Sequence, residues 1–483
     1  MVHRAWRSWS LVVAYLAAAP AVFGSPARAG DGFRAGAAVV DITPEEGVSL
    51  DGPISKPGPA RGVHDRLHAR ALVLDDSRIR LAIVVTDLTM IERAVCEQIR
   101  QRVHEVTGLA PDHLLISAVH THAAPRVRHG RRGPLDDRYY ELLVERIATA
   151  VQKAVANLAP ACIGWGSFDK PEYVRCRRWL CEPDTVGANP FGETGERVRS
   201  VAGKGGRVIK PAGPVDPQVS VLSIQHADGR PLAVLANYSV HYCGGYRGGM
   251  VSADYFGYFA GRLAETLDAG PQHPPFVGIM TNGTSGNTGA IQSGGKRYGP
   301  FELMQVAGRV LADDALDVIG RIEHRGDVAL SIEAADLELG VRRPDAERIA
   351  WARRVLADPK APRPHPWTQI YAQQTLLLAE YPATRPVKLQ AIGIRSGGAT
   401  LGIGAIACEV FAETGLAIKR TSPCDATFTI SLANGAEGYL PPPEQHAWGG
   451  YETWPATSSC LEIEAEPKIR QALLAMLRRA CPP

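Results

Sequence analysis

His120-Thr121-His122 closes the apolar run Leu114-Leu115-Ile116-Ser117-Ala118-Val119. Side chains of an extended strand alternate with a period of two. The spacing therefore predicts both imidazoles on one face, where the strand runs out into a loop. Two neutral imidazole nitrogens so placed suit Zn²⁺, which then needs one or two more ligands from elsewhere in the chain. A pair of half-buried strand histidines satisfied by backbone carbonyls would read the same way, so further donors have to decide. His241 ends the segment Asn237-Tyr238-Ser239-Val240-His241, just beyond a strand expected over 232–238. Glu409 follows the apolar run 402–408 and precedes a helix expected from about Phe411. Both stand where a strand stops, the place at which ligands gather in open α/β sheets. Each also has a plainer reading, His241 as a core histidine and Glu409 as a charge at a helix N-terminus.

The elements that must position these residues are legible as period. Strand-like runs are expected over 37–42, 70–74, 80–86, 114–119, 218–225, 232–238, 276–280, 328–339, 387–394, 400–406 and 427–432. Between them lie helical patterns at 135–158, 254–267, about 301–322 and 466–479, the second with Ser252 as its cap. This alternation predicts an α/β architecture, with mixed β-sheets packed together and flanked by helices in a single large domain. Two segments read as insertions over that core. Residues 181–217 are rich in Gly and Pro, and 343–386 hold a polar helical stretch followed by Pro359, Pro362, Pro364 and Pro366. Such segments commonly form the rim of a cleft or surface decoration.

Arg4 and Arg7, the apolar stretch from Leu11 to Gly24 and the small-x-small site Ala27-Arg28-Ala29 read as a cleaved secretory signal over residues 1–29. Removing 29 of 483 residues leaves 454, residues 30–483 of a secreted or periplasmic protein, enough for a large domain with a well-buried core. No later run offers about 18 uninterrupted apolar residues, so no membrane span is expected; contact with a membrane surface is left open. The 53 basic and 50 acidic residues leave a formal charge of +3, which gives no ground for nucleic-acid binding. The basic run from Arg126 to Arg132 reads as a solvated loop. The nine cysteines are scattered without a Cys-x-x-Cys motif. A cysteine zinc cluster is therefore not expected, and any disulfide pairing is left open along with the oligomeric state.

Taken together, several segments resemble the neutral/alkaline non-lysosomal ceramidase family, specifically its N-terminal catalytic domain. They begin with Gly36-Ala37-Ala38-Val39-Val40-Asp41-Ile42-Thr43-Pro44 and Gly62-Val63-His64-Asp65-Arg66-Leu67-His68-Ala69-Arg70-Ala71-Leu72-Val73-Leu74. They continue with Ser117-Ala118-Val119-His120-Thr121-His122, Asn237-Tyr238-Ser239-Val240-His241 and Ala407-Cys408-Glu409-Val410-Phe411. The last are Gly438-Tyr439-Leu440-Pro441-Pro442 and Gly450-Tyr451-Glu452. The resemblance implies one catalytic zinc held by His120, His241, Glu409 and Tyr439, with His122 and Tyr451 lining the substrate site. The family's basic residue matches Arg177 in Val174-Arg175-Cys176-Arg177-Arg178-Trp179, with Arg178 as the alternative and Cys176 standing where an asparagine is expected.

The function so implied is zinc-dependent hydrolysis of an N-acyl amide, a ceramide-like lipid or a related compound. Zinc would lower the pKa of a bound water towards about 7 and polarise the amide carbonyl. His122 would give a proton to the leaving amine, and Tyr451 and Arg177 would stabilise the oxyanion. One departure matters. The family's loop Gly-Asp-x-Ser-Pro-Asn corresponds here to Gly286-Asn287-Thr288-Gly289-Ala290, so Gly289 stands in the serine's place. Ser285, in Gly283-Thr284-Ser285-Gly286, does not fit a Gly-x-Ser-x-Gly elbow. A Gly-rich loop that lets backbone approach the metal closely is the structural reading. Family members acting on ceramide usually carry a further immunoglobulin-like C-terminal domain, for which this sequence has no length. Two alternatives stand beside the zinc hydrolase: a serine hydrolase using Ser285 with His122 as base, and a catalytically impaired protein that binds a lipid or glycan.

Overall fold

The computed structural model describes residues 32–52, 58–127, 134–199, 205–267, 272–290, 297–358, 360 and 362–482. The expected signal segment and residues 128–132 of the basic run lie outside them. Eight strands form the larger sheet: β1 (Arg34–Asp41), β2 (His68–Asp75), β3 (Arg80–Thr86), β4 (Leu114–Ala118), β5 (Ala159–Asp169), β6 (Gln218–His226), β7 (Pro231–Tyr238) and β8 (Val277–Asn282). Their spatial order is β8-β7-β6-β5-β1-β2-β3-β4. The β7–β8 and β3–β4 pairs at the two edges are parallel and the rest antiparallel. A second sheet runs β9 (Val328–Gly340), β10 (Thr384–Ser396), β11 (Ala399–Ile406) and β12 (Ala426–Ile430).

Strand β3 shows why the sheet is sandwiched. Its odd positions Leu81, Ile83 and Val85 enter one core and its even positions Ala82 and Val84 another, so neither face reads as polar. Over the even face lie α1 (Arg93–Thr107) and α2 (Pro134–Ala156), through Val95, Ile99 and Val103 and through Leu143, Ile147 and Val151. The odd face shares its core with Ile392, Ile403 and Phe428 of the second sheet. It also meets α3 (Asp254–Leu267) and α4 (Glu302–Ile319) through Phe256, Phe259, Met304 and Leu311. The outer side of the second sheet is closed by helix Ala465–Ala480, whose Leu473 and Leu477 pack with Leu389 and Ala391. The expected mixed α/β fold with flanking helices is the one observed. Among the described residues, no helix is long and apolar enough to cross a membrane.

Strand β5 is absent from the sequence-based expectation, because Pro160, Gly164 and Gly166 mask its pattern. The structure supplies the reason for the glycines. A Cβ on Gly164 would come within 2.4 Å of Ile322 and one on Gly166 within 2.8 Å of Val318, so the end of α4 lies directly on this strand.

The described residues of the two expected insertions meet each other. Residues 181–217 contribute to a small three-stranded sheet of Trp179–Cys181, Val198–Arg199 and Val208–Pro211. Residues 343–386 hold the helices Ala346–Ala357 and Thr368–Ala379. Phe191 from the first packs on Trp351 and Tyr371 from the second, with ring centroids 5.3 and 5.7 Å apart. Between the insertions lies a cavity of about 350 Å³ whose lining includes Glu196, His365, Gly450 and Trp454. One pair among the nine cysteines, Cys424 and Cys481, forms a disulfide.

Candidate metal centre

Four chain segments bring the donors together. After β4 the chain turns back at His120, whose φ of 72° is left-handed, a conformation that costs a non-glycine residue roughly 1–2 kcal/mol. The two histidines do converge, with Nε2 atoms 3.2 Å apart, but by this turn and not by strand alternation, since β4 stops at Ala118. His241 arrives beyond the end of β7, placing its Nε2 3.0 Å from His120 Nε2. The donor nitrogens of His120, His122 and His241 all lie within 4.8 Å of one another.

Glu409 comes from beyond β11. It lies in a two-residue strand, Glu409–Val410, paired in parallel with Tyr439–Leu440, so Glu409 and Tyr439 are direct cross-strand partners. Its Oε2 is 3.3 Å from His120 Nε2 and 3.8 Å from His241 Nε2. The carboxylate is thus turned to the two imidazoles, and the following helix, Ala412–Thr421, is capped at Phe411 with no side-chain bond.

The hydrogen bonds behind the rings determine which nitrogens carry protons. His120 Nδ1 lies 2.8 Å from the Thr89 carbonyl and His241 Nδ1 lies 3.0 Å from the Ser285 carbonyl. A carbonyl only accepts, so both Nδ1 atoms donate, and in neutral rings both Nε2 atoms present lone pairs. Burial, followed by the charge of Arg177, holds the His241 imidazole well below its usual pKa and therefore neutral. Burial also opposes ionisation of Glu409, but His120, Arg177 and Tyr439 outweigh it and its pKa is lowered. With both rings neutral, two imidazole lone pairs and a carboxylate face one another at contact distance, a repulsion that a cation among them relieves, whether a proton on His120 or a metal ion. This donor set fits Zn²⁺. Burial and the neighbouring Glu409 push the Tyr439 phenol well above its ordinary range.

The remaining expected residues form the side on which Arg177 and Tyr451 are partly exposed. Tyr439 Oη lies 3.2 Å from Tyr451 Oη and accepts from Arg177 Nη2 at 3.1 Å. Arg177 also donates to the Gly286 carbonyl at 2.7 Å, and its guanidinium carbon lies 5.6 and 5.4 Å from the Tyr439 and Tyr451 ring centroids. Arg178, the alternative to Arg177, is fully buried and turned away. It bonds Glu452, Gln445 and the Gly449 carbonyl, bracing the turn that carries Tyr451. Tyr451 also meets Trp367 of the second insertion, edge to face at 5.9 Å.

Ser285 offers the site its carbonyl, the acceptor for His241. The loop that contains it does bring backbone close. A Cβ on Gly286 would lie 2.5 Å from the Glu409 carbonyl, whereas one on Gly289 would meet nothing nearer than Arg177 Cβ at 3.8 Å. Gly286→Ala is therefore expected to cost about 1–3 kcal/mol of stability and to weaken metal retention. Gly289→Ser should leave stability within about 0.5 kcal/mol. Thermal melts with metal analysis check the pair, and equal Tm losses would contradict the packing. Sequence reasoning also missed Gly52, where a Cβ would strike His122 Cβ at 2.7 Å, and Tyr242, whose ring stacks on His122 at 4.0 Å. The carbonyls of Thr89 and Ser285 left no sequence signal, because a backbone acceptor is the same in every residue.

Residues 33–296, more than half the chain, match the family described as neutral/alkaline non-lysosomal ceramidase, N-terminal. Among curated proteins, the neutral ceramidase of Pseudomonas aeruginosa is 30% identical over 231 residues. That match covers 45% of this chain and spans 31% of the relative's own length. The fold is similar to a crystal structure of neutral ceramidase from Pseudomonas aeruginosa, with a TM-score of 0.65 at 19% identity over 92% of this chain and 74% of that one. It is also similar to a ceramidase complexed with C2, with a TM-score of 0.64 at 17% identity over 92% and 75%.

Proposed function

Because this chain belongs to the neutral/alkaline non-lysosomal ceramidase family, we propose that it is an exported zinc-dependent amidohydrolase, cleaving an N-acyl amide of the ceramide type or a relative of it. The observation that carries the reading is the convergence of His120 Nε2, His241 Nε2 and Glu409 Oε2 with both Nδ1 protons directed outward to carbonyls. His120, His241, Glu409 and Tyr439 would hold the ion, which when bound would acidify a water and polarise the amide carbonyl.

The chain's own residues have separable tasks. His122 is half-exposed where His120 and His241 are buried, so its imidazole is the one placed to carry a proton to the leaving amine. Arg177 and the Tyr451 hydroxyl present donors from the opposite wall to an oxygen gaining negative charge. Tyr451 and Trp367 would flank the entering substrate with aromatic surface. The catalytic unit is taken to be 30–483. Export is supported by the apolar N-terminal stretch and by the Cys424–Cys481 disulfide, a bond that persists in oxidising compartments.

The test is hydrolysis of a panel of fluorogenic N-acyl amides by the purified protein, before and after chelation and again after zinc is restored. Loss of turnover on chelation and its return with zinc is the expected result. Turnover that survives complete zinc removal would contradict the proposal. The resemblance favours a second reading, a protein that binds a lipid or glycan without turning it over, since it sets Gly289 in the place of the family's serine. Zinc bound at about one ion per chain with no turnover across the panel would support that reading.

A further inference from the structure

Asp254 belongs to none of the motifs above. It opens α3 with a φ of 56°, in the left-handed region that non-glycine residues avoid, and it is fully buried. Its carboxylate accepts four donors: the amides of Cys243 and Gly244 at 3.0 Å each, the amide of Tyr255 at 2.6 Å, and the Tyr246 hydroxyl. Only the Tyr255 bond serves the helix, whose first turn is already capped by Ser252 Oγ on the Asp254 amide at 3.1 Å. The other three reach out to the loop after His241. Burying a carboxylate to cap a helix that already has a cap would be a poor use of charge.

What the loop holds is His122. The Tyr246 hydroxyl, donating to Asp254, accepts the His122 amide at 3.3 Å and lies 3.4 Å from Thr121 Oγ1. The amides of Cys243 and Gly244 directly follow Tyr242, whose ring lies on the His122 ring with an interplanar angle of 26°. One carboxylate therefore anchors both the backbone of His122 and the surface against which its imidazole rests. Gly52 closes the other side.

We propose that Asp254, acting through Tyr246, is a positioning residue that fixes His122 against the metal-binding imidazoles. The inference rests on the reading of His122 as a working group of the proposed hydrolase. Partners of this kind typically govern metal affinity or activity by about 10–100-fold. Tyr246→Phe removes a single hydroxyl. It is expected to lower kcat on a fluorogenic N-acyl amide by about 10-fold or more with KM nearly unchanged, or to weaken zinc by a similar factor in competition with a chelator. Asp254→Asn should follow it in the same readouts with a larger fall in Tm. Tyr139→Phe deletes another buried hydroxyl, bonded to the Ile42 carbonyl at 2.8 Å, and should lower Tm alone. If Tyr246→Phe matches the parent in kcat and zinc affinity while His122→Ala is impaired, the inference is overturned and the hydrolase reading stands. If His122→Ala also matches the parent, the role given to His122 fails and this inference fails with it.

Discussion

Glu409→Gln is expected to lose the bound zinc and about a thousandfold or more in turnover, while its metal-free form is at least as stable as the parent's. The first part follows from removing the one carboxylate among the donors, since a metal ion supplies several kcal/mol of transition-state stabilisation. The second follows from the lone pairs. In the metal-free parent at a pH that keeps both rings neutral, His120 Nε2 and His241 Nε2 face each other at 3.0 Å with Glu409 Oε2 at 3.3 Å from the first. A glutamine amide would place a donor there and relieve that repulsion. His120→Ala is expected to lose the metal too, but with lower stability, because the bond to the Thr89 carbonyl disappears, at a cost of about 1 kcal/mol. Metal analysis and thermal melts with and without chelator separate these outcomes. Chelator should lower the parent's Tm and leave both variants unmoved, because only a species that binds the ion is stabilised by it. A Glu409→Gln protein holding zinc at the parent's stoichiometry would remove Glu409 from the ligand set.

Arg177→Ala and Arg178→Ala are expected to fail in opposite ways, although they are neighbours in sequence. Arg177 presents donors to the Tyr439 hydroxyl and the Gly286 carbonyl on the accessible side, and Glu452 keeps Arg178 when Arg177 is lost. Its removal should cost roughly 10²–10³-fold in kcat, the usual loss for one oxyanion donor, with a modest change in Tm. Arg178 is enclosed and pairs with an equally enclosed Glu452. Truncating it leaves a buried carboxylate with only the Arg177 guanidinium nearby at 3.3 Å, and breaking such a pair typically costs about 3–5 kcal/mol. A substantial fall in Tm is the expected signature, with kcat per folded molecule less affected than in Arg177→Ala. The reverse pattern would mean that the two side chains had been assigned the wrong way round.

Strand β3 was readable to its ends at 80–86 as a short continuous apolar run, and helix α3 over 254–267 together with its Ser252 cap because its buried residues recur at the helical period. Strand β5 was not readable, since its glycines answer to α4, about 150 residues further along. The site divides in the same way. The identities of His120, His122, His241, Glu409, Tyr439, Tyr451 and Arg177 stood out by residue type, by their place at strand ends and by resemblance to a family. Their geometry did not: the sense in which His120 turns, the register that sets Glu409 beside Tyr439, and the choice between Arg177 and Arg178 all depend on contacts with other segments.

By itself, then, the sequence determined the element types, the α/β class and the inventory of chemically able side chains, because these follow from local periodicity and residue chemistry. The tertiary structure alone decided which lone pairs face one another, which arginine is free to act and why Asp254 is buried. Those properties arise where β4, β7, β8 and β11 end together, and the distances there are set by packing between segments far apart in the chain, such as those of His120 and Glu409, which no local window of sequence expresses.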